Sequence, residues 1–178
     1  MANAHWAGGG WMKGALAQEE ALCYRTSLYL TLKHRFYPMA PKAAIYSPTV
    51  VVVRNSISNH HRLLDLSQPD HLPVVSVVSM AALRDPAVQR RVGDGREIYA
   101  EPADRELMRA KIRMVLRVAA ARGHRRLVLG ALGCGAFGNP RGEVVGLWKE
   151  VFLEPEFGGG WWEEVVFAVL DTNRDPGR

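Results

Sequence analysis

The sequence predicts an α/β fold in which a mixed β-sheet lies between helices. Two observations lead to this class. Short apolar, β-branched runs alternate along the chain with longer segments of helical periodicity. The strand-like runs are apolar at nearly every position, which is typical of strands covered by helices on both faces. The 178 residues, of which 48% are hydrophobic, are enough for one domain with its own core.

The N-terminal half of the chain predicts a helical region followed by strands. Residues 14–36 are predicted to form one or two helices. Residues 45–46 and 50–53 predict two short strands, joined as a hairpin around residues 47–49. Residues 73–79 form a strongly β-prone run, and we expect them to be a buried central strand.

The C-terminal half continues the alternation after an irregular segment over residues 80–101. Asp104 is predicted to cap the helix with the clearest apolar stripe, and Gly123 is predicted to close it. The arginines spaced along this helix are expected to form a solvated face, although such a face could also contact a nucleic acid or a polymer. They are Arg105, Arg109, Arg113 and Arg117. The remaining elements are a strand, a helix and a last strand, at residues 127–129, 141–153 and 165–170.

Charge and cysteine usage narrow the class of protein. The net charge of +5 suits an anionic substrate, but the basic residues form no single run, so we expect no direct nucleic-acid binding.

The chain has two cysteines, Cys23 and Cys134, which are too few for a disulfide framework. They favour an intracellular protein, in the cytoplasm or in a eukaryotic nucleus. Cys134 is interpreted as a small filler rather than a nucleophile. No apolar run is long enough to span a bilayer, and no ligand spacing indicates a metal site.

A run of three glycines, Gly8 to Gly10, is followed closely by Gln18, Glu19 and Glu20. Glycines lack a Cβ atom, so their backbone N–H groups can approach a ligand closely and adopt positive φ. A flexible backbone clamp beside paired carboxylates indicates acid–base work on a polar, phosphate-bearing substrate. The alternative is an ordinary turn that leads into a helix with an acidic face.

A second glycine-rich element follows the strand at residues 127–129. Residues 130–138 contain four glycines, and Asn139 and Pro140 are predicted to be the N-cap and the first residue of the next helix. A glycine loop at a helix N-terminus can bind phosphate, because free N–H groups and the helix dipole point the same way. The alternative is a tight strand–helix turn that binds nothing.

Together, the two glycine elements resemble the signature of microbial-type poly(ADP-ribose) glycohydrolases, which are built on a macrodomain. The other matching segments follow in the order of that family: residues 3–4, 17–22, 45–48, 130–139 and 165–171. The resemblance covers nearly the whole chain, which we expect to be a single macrodomain-like catalytic domain over residues 1–178. In that family, strands and a helical region precede the position of Asn3. We therefore expect a sheet without its usual first strands, an exposed edge and an incomplete adenine pocket.

The resemblance implies the hydrolysis of ribose–ribose O-glycosidic bonds in poly(ADP-ribose) and so the reversal of ADP-ribosylation in the DNA damage response. Glu20 would be the general acid and base, and Glu19 would hold ribose hydroxyls.

The resemblance also implies roles in substrate binding. Asn3 would form a hydrogen bond with the terminal ribose, and Gln18 would orient the acids or the ribose. The backbone groups and side chains expected to surround the diphosphate are those of Gly8, Gly9, Gly10, Gly133, Cys134, Gly135, Ala136 and Phe137, with Asn139 counted among the substrate-binding residues. Phe137 would also pack on the ribose and help fix Glu20. No cofactor or metal is required, since N–H groups and the helix dipole can neutralise the phosphates.

Three other functions stay open from the residues alone. The chain could be a binding module that holds ADP-ribose without cleaving it, although paired acids favour an enzyme. It could hydrolyse single ADP-ribose units on proteins or nucleic-acid ends, because that chemistry uses the same loops. It could also be a nucleotide-binding α/β protein unrelated to ADP-ribose. The expected partner is ADP-ribose or its polymer on modified proteins, bound by a monomer.

Overall fold

The computed structural model describes residues 2–169, and these residues contain three α-helices and six β-strands. The helices are α1 (Gln18–Arg25), α2 (Pro102–Ala121) and α3 (Arg141–Phe152). The strands are β1 (Ala44–Val51), β2 (Val74–Met80), β3 (Val88–Arg90), β4 (Glu97–Tyr99), β5 (Arg126–Gly130) and β6 (Glu164–Ala168). The predicted α/β class is confirmed. Leu170, which we expected to end the last strand, lies outside the described residues.

The strands pair in three two-stranded sheets within residues 2–169. Strands β1 and β2 are antiparallel, as are β3 and β4, whereas β5 and β6 are parallel. A parallel pair needs a crossover connection, and α3 supplies it between β5 and β6. In this part of the chain the two-stranded sheets keep open edges, and the edge expected from missing first strands stays a prediction.

Two predictions for the strands are wrong. Residues 47–49 do not turn, because β1 is one continuous strand whose register against β2 shifts between Ser47 and Val50. Pro48 lacks an N–H group for the ladder, and it produces this irregularity rather than a hairpin. The segment at residues 80–101 is not a loop throughout, since it contains the hairpin of β3 and β4. Its turn uses Gly93 and Gly95, both at positive φ.

Helix α2 buries its apolar stripe in the core, as the spacing of that stripe predicts. Met108, Ile112 and Leu116 are fully buried and belong to one cluster with Leu147 and Val151 of α3. Each fully buried side chain of this kind contributes about 1.5–3 kcal/mol relative to exposure. The contact between α2 and α3 therefore fixes the position of β5 and of the loop that follows it.

The predicted cap of α2 is wrong by three residues. The N-cap position is Glu101 and the helix begins at Pro102, whose fixed φ and missing N–H group suit a first turn. Asp104 lies inside that turn, where its charge still favours the positive end of the helix dipole. The predicted end is confirmed, since Gly123 has φ +73° and donates its N–H group to Ala120.

The four arginines spaced along α2 bind glutamates of α3 and of the segment after it, so the prediction of a solvated face is wrong. Arg105 bonds Glu143 at 3.0 Å, Arg109 and Arg113 bond Glu154 at 3.3 and 2.7 Å, and Arg117 bonds Glu156 at 2.6 Å. We call this row of contacts the arginine ladder. It escapes sequence analysis because its acidic partners lie about forty residues further along the chain.

Removal of the central acid of the ladder should destabilise the protein. Glu154→Ala leaves Arg109 and Arg113 without their shared partner, and charge-assisted contacts of this kind predict a loss of about 1–2 kcal/mol in urea unfolding. Hydrogen bonds from Arg113 hold the pKa of Glu154 below its ordinary value of 4.5. The contribution is therefore complete above about pH 4.5 and is lost as the pH falls through the lower folded-state pKa.

Glu106→Gln is the matched control for this prediction. The Glu106 carboxylate is 61% exposed and approaches Arg105 and Arg109 only at 3.6–3.8 Å. We expect a change of less than about 0.5 kcal/mol. Equal losses of unfolding free energy in Glu154→Ala and Glu106→Gln would show that Glu154 has no special role between the helices.

Candidate functional site

A cavity of about 230 Å³ brings the first glycine run, the start of α1 and the second glycine loop together. Its walls include six of the predicted site residues: Asn3, Gly9, Glu19, Glu20, Ala136 and Phe137. Glu20 and Phe137 are far apart in the sequence, and the fold places both in this one cavity. Ala15 and Leu16 also line it, although sequence analysis missed them. No motif marks these two residues, and only their position between the glycines and the acids could have suggested them.

The first glycine run has the backbone conformation that its composition predicts. Gly8 and Gly9 have φ of +64° and +58°, in the left-handed region that favours glycine. A Cβ atom on Gly9 would lie 2.7 Å from Oε1 of Glu20, so a side chain there would collide with the carboxylate. The glycine run therefore requires a residue without a side chain at position 9, beside the Glu20 carboxylate.

The carboxylate of Glu20 connects the glycine run to the start of α1. Its Oε1 accepts a hydrogen bond from the Gly10 N–H group at 2.8 Å, and its Oε2 accepts one from the Ala17 N–H group at 2.7 Å. The second bond satisfies the amide of Ala17, the N-cap residue of α1, as the acid at the N3 position does in a capping box. Gly9 donates its own amide to Trp6 at 3.1 Å. Two amides of the run are thus engaged inside the protein, and diphosphate binding by the run stays a prediction.

Glu19 has a different environment from its neighbour. The residue is 4% exposed, and within the described residues neither carboxylate oxygen has a hydrogen-bond partner. Burial raises the pKa of Glu19 above its ordinary value of 4.5, while the nearby Ser79 hydroxyl and Asn3 backbone partly oppose that shift without reaching hydrogen-bond geometry. One acid is therefore clamped by amides, and the other is buried and kept largely without partners.

Replacement of the buried acid should stabilise the protein at neutral pH. Glu19→Gln removes a carboxylate that must ionise without hydrogen bonds, and we expect a gain of about 1–3 kcal/mol, or a few degrees in melting temperature. The folded-state pKa lies above 4.5, so wild type loses stability relative to the variant as the pH rises through that window. Melting curves from pH 4 to 8 test this. The same change of melting temperature with pH in wild type and in Glu19→Gln would contradict this prediction.

Asn3 and Gln18 differ in their relation to the cavity, since Asn3 lines its wall and Gln18 lies at the end of β5. The Oδ1 atom of Asn3 accepts from the amides of His5 and Trp6 at 2.8 and 3.1 Å, which fixes the side chain at the cavity wall. Gln18 lies against Gly130, where a Cβ atom would come within 2.7 Å of its Nε2 atom. The side chain of Gln18 thus reaches the end of β5, at the root of the second glycine loop. Its predicted role toward the acids or the ribose stays a prediction.

The second glycine loop presents only part of its length to the cavity. Ala136 and Phe137 line it, whereas Cys134 lines a depression on the other face of the loop, beside Arg96 and Arg141. Burial raises the pKa of the Cys134 thiol, which disfavours the thiolate and agrees with the filler interpretation. The structure therefore separates this cysteine from the paired acids.

Asn139 does not serve as the helix cap that the sequence predicts. The N-cap position of α3 is Pro140, and the Asn139 side chain turns into the protein, where the residue is 3% exposed. Its Nδ2 atom lies 2.7–3.1 Å from the carbonyl oxygens of Leu83, Gly133 and Phe137, and its Oδ1 accepts from the Tyr99 hydroxyl at 2.9 Å. Both polar atoms of the side chain thus have partners inside the protein, and substrate contact by Asn139 stays a prediction.

Gly133 explains why the loop fits so closely around Asn139. The glycine has φ +77°, and a Cβ atom there would lie 2.4 Å from Nδ2 of Asn139. The requirement for glycine at this position is thus structural. Gly135 has open space where its Cβ atom would be, so packing does not demand glycine there.

Residues 2–169 contain no group of three or more His, Cys, Asp or Glu side chains placed to hold a metal ion. In the same part of the chain, no helix is both long enough and apolar enough to cross a membrane.

The fold and the cavity are those of a macrodomain-type α/β protein. The family model of the microbial-type PARG catalytic domain, where PARG stands for poly(ADP-ribose) glycohydrolase, matches residues 1–55. The poly(ADP-ribose) glycohydrolase of Thermomonospora curvata is 34% identical, with a TM-score of 0.76, over 99% of this chain and 62% of that one. The Deinococcus radiodurans enzyme in complex with ADP-ribose is 33% identical, with a TM-score of 0.74, over 96% of this chain and 67% of that one. This chain belongs to the microbial-type poly(ADP-ribose) glycohydrolase family.

The match extends to a ligand complex of the first enzyme. The Thermomonospora curvata structure bound to the inhibitor ADP-HPD is 35% identical, with a TM-score of 0.73, over 99% of this chain and 64% of that one. The comparison with curated protein sequences gave no match. The chain spans about three fifths of the length of the Thermomonospora curvata structures that it matches.

Proposed function

We propose that this chain carries the catalytic centre of a poly(ADP-ribose) glycohydrolase, which hydrolyses ribose–ribose O-glycosidic bonds and releases ADP-ribose. The observation that carries the proposal is the cavity shared by Glu20 and Phe137. A diphosphate held by the loop around Phe137 would place its attached ribose beside the acids. The relatives solved with ADP-ribose and with ADP-HPD support this class of ligand.

Glu20 is the residue that we assign to proton transfer. Its carboxyl group donates a proton to the leaving ribose oxygen as the glycosidic bond breaks through an oxocarbenium-like state. The resulting carboxylate then takes a proton from the water that attacks the sugar carbon. The amides of Gly10 and Ala17 fix the orientation of the carboxyl group, which favours transfer to one defined position.

Glu19 is assigned to the ribose hydroxyls. Its carboxyl group lies in the same cavity wall but has no hydrogen-bond partner within the described residues. A buried carboxyl without partners gains most from a ligand that supplies them, because the unpaired group is costly. The sugar hydroxyls of a bound ADP-ribose unit would provide these partners.

The test is incubation of the protein with automodified poly(ADP-ribose) polymerase, with free ADP-ribose measured over time. We expect release from the polymer, and calorimetry with ADP-ribose on the same sample should show binding. Binding without release would make the chain a binding module instead. Release from a singly modified protein, but not from the polymer, would assign it to single ADP-ribose units. The absence of both binding and release would overturn the proposal.

A further inference from the structure

Residues 82–85, a segment that begins two residues after the end of β2, contact the second glycine loop at each of their four positions. The first two contacts are made by Ala82 and Leu83. The Cβ atom of Ala82 lies 2.7 Å from where a Cβ atom on Gly133 would be, so the Ala82 methyl group packs closely on the Gly133 backbone. The carbonyl oxygen of Leu83 accepts a hydrogen bond from Nδ2 of Asn139 at 2.7 Å. These contacts hold the base of the loop.

The other two contacts converge on Phe137. The Asp85 N–H group donates to the Phe137 carbonyl oxygen at 3.0 Å, and Asp85 adopts φ +50°, which is uncommon for a residue with a side chain. The guanidinium carbon of Arg84 lies 5.9 Å from the centre of the Phe137 ring, within the range of a cation–π contact. Phe137 therefore lines the cavity and has the Arg84 cation near its ring.

The side-chain contacts of Arg84 do not by themselves hold the turn at Arg84 and Asp85. The Arg84 side chain is 71% exposed, and its ion pair with Asp85 is long, at 3.6 Å. The backbone of Asp85 is held in an uncommon conformation, which costs free energy unless its surroundings compensate. The hydrogen bond to Phe137 supplies that compensation. The turn at Arg84 and Asp85 thus has a defined position relative to the ring.

We propose that Arg84 is a positioning residue of the active site, one that holds the Phe137 ring against the cavity so that the ring can pack on the ribose of the bound substrate. The inference rests on the proposed function of the cavity. Arg84 acts through Phe137 and is assigned no contact with the reacting atoms. Its effect is therefore expected on substrate binding more than on the chemical step.

The test compares Arg84→Ala and Arg84→Lys with wild type in polymer hydrolysis and in calorimetry with ADP-ribose. Loss of a cation–π contact predicts that Arg84→Ala raises KM and the Kd for ADP-ribose about two- to fivefold, with kcat nearly unchanged. A lysine keeps the positive charge, so Arg84→Lys should recover at least half of the lost affinity. Melting temperature should stay close to that of wild type in both variants.

Arg35→Ala is the matched control. Arg35 also lies over an aromatic ring, 5.1 Å from the centre of Phe36, but that ring is not part of the cavity wall. We expect wild-type KM and Kd for this variant. Wild-type KM and Kd in Arg84→Ala would overturn the inference, as would a loss confined to kcat. A wild-type protein that neither binds nor cleaves would instead contradict the proposed function, so the two failures are distinguishable.

Discussion

Glu20→Gln is expected to reduce ADP-ribose release by about a hundredfold to ten-thousandfold, the range that a lost general acid and base produces. A glutamine has nearly the same shape but cannot donate a proton to the leaving oxygen or take one from water. Its side-chain oxygen can still accept one of the two amide hydrogen bonds that Glu20 accepts from Gly10 and Ala17. Binding of ADP-ribose should therefore stay within about threefold of wild type, because the cavity keeps its walls.

Measurement of release and of binding on the same preparation separates chemistry from folding. The lost amide bond costs about 1 kcal/mol, so a small decrease in melting temperature is expected. Glu106→Gln, an exposed acid on α2 far from the cavity wall, should behave as wild type in both assays. Full turnover by Glu20→Gln would show that another group transfers the proton, and our assignment of the acid would be wrong.

Asn139→Asp is expected to be the most destabilising of the single substitutions considered for this loop. The Nδ2 atom of Asn139 lies near three carbonyl oxygens, and aspartate would place a carboxylate oxygen there instead. A buried charge that faces acceptors has no compensating partner, so we expect a loss of about 3 kcal/mol or more in urea unfolding. Asn139→Ala also loses the hydrogen bonds but introduces no charge, and a loss of about 2–3 kcal/mol is expected.

The informative result is which of the two Asn139 variants loses more free energy of unfolding. Asn59→Asp is the control, because Asn59 is exposed in a short 3-10 helix and its replacement should change stability by less than about 0.5 kcal/mol. Weaker ADP-ribose binding should accompany the loss in both Asn139 variants, since Phe137 belongs to the loop that Asn139 holds. If the aspartate variant proved as stable as wild type, Asn139 would not be the buried anchor described above.

The parts of the molecule that sequence analysis predicted are those set by neighbouring residues. The apolar stripe of α2 and its closing Gly123 depend on local spacing and local backbone conformation, and both were found. The paired acids and the two glycine elements are also short contiguous motifs. Their meeting in one cavity followed from the family resemblance, because no local rule places Glu20 beside Phe137.

The parts that sequence analysis missed depend on partners distant along the chain. The amide of Asn139 can cap a helix or fill a buried hydrogen-bond site with the same atoms, and only the carbonyl of Leu83 and the hydroxyl of Tyr99 decide between them. Similarly, the arginines of α2 look solvated until Glu154 is placed opposite them. Pro48 indicates a turn in the sequence, although a proline can equally interrupt a strand without reversing it.

The arginine ladder gives the protein a particular response to warming. The hydration of charged groups becomes less favourable as temperature rises, so the penalty for bringing arginine and glutamate together falls. Contacts such as that of Arg113 with Glu154 consequently retain their strength at temperatures where other interactions weaken. The pair of helices α2 and α3 should then separate late in thermal unfolding. Amide exchange near the melting point should find its slowest-exchanging hydrogens in these two helices.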